Sequence, residues 1–237
     1  MNEYKPRLSG FDKLTGTVVL TGAQPAIIKQ TYLLFGLSVA SALAGGYIGA
    51  TSETMVRLFS NWLGWILAMV LLNVVPQIAI AVRHKPVLGL GALVFDGFLS
   101  GIAISPLLWV ASMAAPVLIL SSLMITAFVF LGVTAYVMAS GRTFSAPKGL
   151  TAGLFFAIIG VMILNGFLHI GVLGMLISFA VGALGVFILV YSTSSVLGSP
   201  DADSAIPGAL MLFAGVFNVF VATLSILLRV MGGGRRS

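Results

Sequence analysis

Few side chains in this sequence have types and spacing that could support chemistry. The 237 residues include six acidic residues, two histidines and no cysteine. Asp96 is the one acidic residue that falls within a long apolar stretch, and the polar candidates in other such stretches are Asn73, Gln77, Asn165 and Asn218. The sequence shows no spacing typical of a metal site, of a nucleophile with its base, or of a paired general acid and base. We therefore predict a chain that is not an enzyme and needs no cofactor.

The composition indicates an integral membrane protein. Hydrophobic residues make up 59% of the chain and charged residues only 8%, with a mean hydropathy of +1.14, which is atypical of soluble domains. A spanning helix needs about 20 apolar residues. Seven stretches meet this requirement, at 31–50, 61–82, 87–110, 116–139, 149–169, 171–191 and 206–231. We predict an all-α fold with a cytosolic tail (1–30), one seven-transmembrane helix bundle (31–231) and a short basic tail (232–237).

The last apolar stretch has two unlike faces when its residues are placed about 100° apart around a helix. One stripe is small or polar and the opposite one is bulky: Gly208, Met211, Gly215, Asn218, Ala222, Ser225 and Arg229, against Phe213, Phe217, Phe220, Leu224, Leu227 and Leu228. In an apolar medium, helices pack closely through small residues, and buried amides find partners on neighbouring helices. The pattern predicts that this last helix is central and that the other helices surround it.

Small residues in two earlier spans also predict close helix contacts. The first span has a small face of Ala42, Gly45, Gly46 and Gly49, and the third has a GxxxG pattern of Gly97 and Gly101. Such patterns let two helix backbones approach each other in a membrane.

Lysine and arginine lie mostly at one end of the predicted spans. Eight precede the first span or follow the second and fourth: Lys5, Arg7, Lys13, Lys29, Arg83, Lys85, Arg142 and Lys148. Before the C-terminus the other side carries only Arg57, so the positive-inside rule places the N-terminus in the cytoplasm. Arg229, Arg235 and Arg236 would then lie outside, and the alternative is a last segment that re-enters without crossing. We expect the full crossing.

Asp96 and Asn73 are predicted to lie at a similar depth in the bilayer. Asp96 comes 11 residues after Lys85 in the turn between the second and third spans, and Asn73 comes 12 residues before it. At about 1.5 Å per residue, both lie about 16–18 Å into the membrane, near its middle. A charged carboxylate is costly there. Asp96 is therefore either a titrating group in a pathway or a protonated carboxyl that is hydrogen-bonded to Asn73 as a structural clip.

Several strings of residues resemble the Bax inhibitor family, in its bacterial YccA-like branch. They are KQTYLL at 29–34, G…SPL at 101–107, TA…F…AYV…R-x-F-S at 126–145 and AL…FNVF…LSIL at 209–227. The resemblance implies a seven-helix bundle in the bacterial inner membrane, with the last helix surrounded by the other six. Members of the family include modulators of the FtsH membrane protease, and calcium leaks gated by paired carboxylates on the last two helices. At those two sensor positions this chain has Ser192 and Gly215, so the paired acids are absent.

Two functions follow as expectations. The first is a non-enzymatic modulator of membrane-protein quality control, whose partners are the lipid bilayer and an FtsH-like protease. The alternative is a pH-sensitive cation (calcium) leak, with calcium or protons as partners and Asp96 as its ionisable group. Nucleic acid is not expected as a partner, because the positive charges lie at the ends of the spans.

Overall fold

The structure is a computed structural model that describes residues 25–141, 144, 148–168, 170–198 and 203–233. This part of the chain contains helices and no strand. The helices are α1 (Pro25–Thr51), α2 (Glu53–Ser60), α3 (Trp62–Ala81), α4 (Pro86–Ala103), α5 (Ser105–Ala114), α6 (Val117–Ser140), α7 (Lys148–Leu168), α8 (Gly171–Gly198) and α9 (Ile206–Gly233). Residues 1–24 of the predicted tail, Arg142, Arg235 and Arg236, on which part of the topology prediction rests, lie outside the described residues. Residues 25–30, which were predicted as tail, already belong to α1.

The all-α membrane fold is confirmed. In the described part of the chain, six helices are long and apolar enough to cross a membrane: α1, α3, α4, α6, α8 and α9 up to Gly232. The remaining predicted span, the fifth (149–169), corresponds to α7, which has 21 residues and is apolar over Phe156–Gly166. The seven predicted spans are thus all helical, and the additional helices come from two features that the prediction did not contain.

The first feature is a break in the third predicted span, which forms α4 and α5 with Ile104 between them. Pro106 lies at the start of α5, where its missing N–H and fixed φ are tolerated. Inside a continuous helix it would remove the donor for the Ile102 carbonyl and clash with that carbonyl, so the helix is interrupted at Ile104. The second feature is α2, an eight-residue helix between the first two spans. The Ser52 hydroxyl caps its N-terminus by accepting a bond from the Met55 N–H.

Helix α9 is the central element, as predicted. It packs against α1, α3, α4, α5, α6 and α8 of the described part, and it is the most buried of the six long apolar helices there. These helices come from five of the six earlier spans; α7, the fifth span, packs mainly against α8, so the expectation of six surrounding spans holds for five. Its 28 residues extend about 42 Å at about 1.5 Å per residue, against about 30 Å of hydrocarbon. This helix is therefore long enough for a full crossing.

The small stripe of α9 lies along α8 in an antiparallel register that repeats every seven residues. A Cβ placed on Gly208 would lie 2.8 Å from Val196, and one on Gly215 would lie 2.7 Å from Leu189. Two turns further along, a Cβ placed on Gly182 of α8 would lie 3.2 Å from the side chain of Ala222 of α9. The missing side chains of α9 thus make room for larger ones of α8, which is the close approach that the small residues predicted.

Helices α1 and α4 form a second close pair, and they run parallel. A Cβ on Gly97 would lie 2.5 Å from the carbonyl oxygen of Ser38, and Gly101 lies against the backbone of Ala42 and Gly46. Gly45 lies against the backbone of Phe98. The Ser41 hydroxyl donates a 2.7 Å hydrogen bond to the Val94 carbonyl across the same interface. Both small-residue predictions for these helices are confirmed.

Charged residues mark the two ends of the bundle. At the proximal end, where α1 begins, Asp203 lies before α9, and its carboxylate is 3.4 Å from Arg83 and 3.6 Å from His84. At the distal end, where α1 and α9 end, the guanidinium of Arg229 lies over Gly174 of α8. The predicted orientation makes the proximal end cytoplasmic.

Candidate functional site

Asp96 lies on the buried face of α4. This face is formed by Gly89, Leu93, Asp96, Gly97, Ser100 and Gly101 at helical spacing. The Asp96 side chain is only 3% exposed, and among the described residues it has no hydrogen-bond or ion-pair partner. One turn away, Leu93 is fully buried in a cluster with Ala79, Ile206 and Leu210. The carboxyl group is therefore enclosed in the bundle between apolar side chains.

The expected hydrogen bond between Asn73 and Asp96 is not formed. Asn73 is exposed on α3, and its amide Nδ2 donates a 2.7 Å bond to the Met69 carbonyl of its own helix. The equal depth of the two residues did not bring them together, because depth does not determine which side of a helix a residue occupies. Asn73 lies about 200° around the helix from Val75, which is on the buried face of α3. The prediction of a structural clip between Asn73 and Asp96 is therefore wrong, and Asp96 does not have this partner.

A fully buried hydroxyl lies on the helix opposite Asp96. Gly97, the next residue, packs on the backbone of Ser38 of α1, and the Ser38 side chain is 0% exposed. The Ser38 hydroxyl oxygen has no hydrogen-bond partner in the described structure. A buried hydroxyl without a partner is energetically costly, typically by about 1–3 kcal/mol. Ser38 in the α1–α4 interface and Asp96 on the buried face of α4 are thus two polar side chains without a partner in the described structure.

The other amides singled out from the sequence do not join Asp96. Gln77 is exposed on α3. Asn165 accepts a 3.1 Å hydrogen bond from the Ile170 N–H, so it closes the end of α7. Asn218 is half-buried on α9, and its side chain makes no hydrogen bond in the part of the chain described. The structure thus gives Asn165 a local structural contact, while the pathway roles of these amides stay predictions.

Ser192 and Gly215, the two positions at which the resemblance implies acids, lie next to a buried leucine. Ser192 is fully buried, and its hydroxyl donates a 3.2 Å bond to the Leu189 carbonyl one turn earlier. Leu189 is also fully buried and lies against Gly215. A leucine side chain therefore occupies the space beside Gly215, and the Ser192 hydroxyl is satisfied by its own helix.

Buried hydroxyls also occur between α1, α6 and α8, and sequence reasoning did not identify them. The Thr193 hydroxyl has no partner in the described structure, and the hydroxyls of Tyr32 and Thr134 lie near each other. Tyr32 packs with Phe130 of α6, with ring centroids 6.4 Å apart, in a cluster that includes Leu189 and Val196 of α8. Isolated hydroxyls in apolar helices give no sequence signal, since serine and threonine are tolerated wherever they can bond to their own backbone.

The described part of the bundle offers one buried ionisable carboxyl, that of Asp96, and several buried hydroxyls. In the described residues no group of three histidine or acidic side chains could hold a metal ion. Asp96 can bind and release one proton, and the neighbouring hydroxyls can donate or accept hydrogen bonds.

Comparison with known proteins gives one family match. Residues 24–233 match the family model described as "Inhibitor of apoptosis-promoting Bax1". The chain is 30% identical over 203 residues to the "Modulator of FtsH protease YccA" of Escherichia coli K12, covering 85% of this chain and 89% of that protein. It is also 28% identical to an uncharacterized protein (Cj0236c) of Campylobacter jejuni over 203 residues, 84% of this chain and 87% of that protein. A similar match, 28% over 209 residues, is to an uncharacterized membrane protein of Vibrio cholerae, covering 85% of this chain and 88% of that protein.

Proposed function

We propose that this chain, which belongs to the Bax inhibitor family, is a non-enzymatic modulator of a membrane-bound protease of the FtsH type in the bacterial inner membrane. The observation that carries the proposal is the 30% identity with the Escherichia coli modulator, because that match covers 89% of the relative's length. A match of this extent covers most of both chains, which supports a related role for this protein.

The bundle itself supports a role in binding more than a role in catalysis. Its interior is occupied by small-residue contacts between α1 and α4 and between α8 and α9. Asp96 is the one acidic side chain on the buried faces of the described helices. A modulator needs a stable bundle and a segment that reaches the protease on the cytoplasmic side. We expect residues 1–24, with Lys5, Arg7 and Lys13, to be that segment.

The test is degradation of a membrane substrate by an FtsH-type protease, reconstituted in vesicles with and without this protein. The full chain should slow degradation. A variant lacking residues 1–24 should not slow it, although its thermal stability should match that of the full chain because helix contacts are unchanged. The matched control is a full-length chain in which Lys5, Arg7 and Lys13 are moved within the tail, so that length and charge are kept.

The outcomes separate two levels of the proposal. No effect of the full chain on degradation would contradict modulation itself. Equal inhibition by the full chain and by a correctly inserted truncated chain would reject the tail as the contact and direct the search to the membrane-facing helices.

A second candidate function, a proton-dependent cation leak, is favoured by one observation. Asp96 is 3% exposed and has no partner among the described residues, and an intramembrane ionisable residue is by default a functional candidate. A leak in this chain would depend on Asp96, since the positions of the paired acids carry Ser192 and Gly215.

Flux of a cation into proteoliposomes, measured at acidic and neutral pH, tests this second candidate. Asp96→Asn keeps the side-chain shape and removes the ionisation, so it should abolish any pH dependence of the flux. Asp203→Asn is the matched control, because Asp203 is an exposed acid at the proximal end. A pH response that survives Asp96→Asn would exclude Asp96 as its origin. A full chain that passes no cation at either pH would eliminate the leak and leave modulation as the function.

A further inference from the structure

A groove opens between four helices in the distal half of the bundle. Its walls come from α1, α5 and α6, and its floor is the bulky face of α9, with Phe213, Val216 and Phe220. The cavity has a volume of about 350 Å³. It begins beyond the level at which Phe35 of α1 and Phe130 of α6 contact each other, with ring centroids 5.0 Å apart. The two helices are thus joined in the proximal half and leave α9 accessible in the distal half.

The groove is open to the hydrocarbon of the bilayer. Leu43 and Tyr47, on its α1 wall, are 52% and 74% exposed. These residues lie on a helix that crosses the membrane, so the medium at the opening is lipid rather than water. A well-formed apolar cavity in such a position is filled by whatever apolar molecule the medium supplies, because empty space forfeits dispersion contacts on every wall.

The length of the groove matches one leaflet. On α1 it runs from Val39 to Thr51, which is about 18 Å at about 1.5 Å per residue. Half of the hydrocarbon core is about 15 Å thick. The groove therefore extends from about the middle of the bilayer to the distal interface, which is the depth that a single acyl chain of that leaflet occupies.

Polarity increases towards the distal end of the groove. Thr51, at the end of α1, and Ser112, near the end of α5, line it there, and both are exposed. The deeper hydroxyl of Thr126 is satisfied by a 2.7 Å bond to the Ser122 carbonyl. Beyond Thr51, α2 carries Arg57, whose exposed guanidinium pairs with Glu53 of the same helix. An apolar depth below a hydroxylated opening corresponds in order to an acyl chain and the glycerol ester region that follows it.

We propose that this groove binds one acyl chain of a phospholipid from the leaflet at the distal end, which makes that lipid a tightly held component of the folded protein. The inference depends on the groove alone and on neither candidate function. The lipid would complete the packing of α9 between α1 and α6, where the protein leaves a gap.

The test is native mass spectrometry of the full chain, delipidated in detergent and titrated with vesicle lipids, phosphatidylethanolamine and phosphatidylglycerol. Val216→Phe fills the floor of the groove, and Ala50→Phe fills its distal end. Both residues line the cavity, so the added rings enter open space. Val70→Phe is the matched control, because Val70 is 51% exposed on α3 and does not line the groove. Size-exclusion and thermal unfolding check that each variant is folded.

The wild type and Val70→Phe should each retain one phospholipid more tightly than any further lipid. Both groove-filling variants, if folded, should bind that first lipid at least about tenfold more weakly, equivalent to about 1.4 kcal/mol. Equal retention by the wild type and the folded groove-filling variants would overturn the proposal. So would a wild type that retains a free fatty acid and no phospholipid, or one that forms a dimer which the groove-filling variants disrupt, because the occupant would then be different.

Discussion

Gly97→Ala tests the packing of α1 against α4, because it adds a single carbon atom at a point of close contact between them. A Cβ on Gly97 would lie 2.5 Å from the Ser38 carbonyl oxygen, whereas ordinary van der Waals contact begins at 3.4 Å. The atom in the way belongs to the helix backbone and cannot rotate aside. The two helices would have to separate locally by the difference, 0.9 Å, and a gap of about 0.5–1 Å loses a quarter to a half of each dispersion contact across it.

The expected cost follows from two opposing effects. Over-packing a well-packed interface typically costs about 1–3 kcal/mol. Alanine is favoured over glycine within a helix by up to about 1 kcal/mol. With the full gain in helix propensity, Gly97→Ala should lower the free energy of unfolding by up to about 2 kcal/mol, and it should be about 1–3 kcal/mol less stable than a glycine-to-alanine variant that meets no collision.

Gly91→Ala is the matched control, because Gly91 lies on the same helix and a Cβ there would meet nothing within 4 Å. This control keeps the gain in helix propensity without the collision, so it should leave stability unchanged or raise it by up to about 1 kcal/mol. Reversible unfolding in mixed micelles measures both. If the two variants differed by less than about 0.5 kcal/mol, a spread typical of substitutions away from packed features, α1 and α4 would not pack as described.

Two further predictions concern α8. Gly215→Leu should destabilise the bundle by at least about 1–3 kcal/mol, because a Cβ at Gly215 would already lie 2.7 Å from Leu189. Phe217→Leu, a reduction in size on the half-buried side of α9, should cost less in the same unfolding assay. Equal costs would mean that the small stripe does not face α8. Ser194→Ala should increase the hydrogen-exchange rate of the Phe144 amide, because the Ser194 hydroxyl accepts that N–H at 2.5 Å; an unchanged rate in a folded variant would show that this contact does not hold Phe144.

The sequence was sufficient to predict the helices that depend on composition and the packing that depends on small residues. Seven apolar stretches are helical, and the stripe that includes Gly208 and Gly215 lies against α8. Small residues are informative in membrane helices because close approach is the main way in which two helices gain packing energy there. Gly97 and Gly101 were informative for the same reason.

Features that depend on side-chain direction or on distant parts of the chain could not be predicted in the same way. Asn73 shows this. Its depth in the membrane could be inferred from its distance to the turn, but that distance did not indicate that its side chain lies on the exposed side of α3. The ion pair between Arg83 and Asp203 joins residues 120 positions apart, and no local pattern indicates it. Helix α2 has only eight residues, which are too few for a membrane span. A search for long apolar stretches therefore did not identify it as a helix.

The central position of α9 has a consequence for how the protein is made. Translation releases a chain from its N-terminus, and segments that appear first can associate first. Helices α1 and α4 can pair as soon as both are in the membrane, because their contacts do not require the rest of the chain. The helices that pack around α9 gain their shared contact surface only when its residues, the last described part of the sequence, have entered the bilayer. Until then the nascent bundle has an unfilled centre, so a chain interrupted before residue 206 would present that centre to the cell's own membrane-protein surveillance.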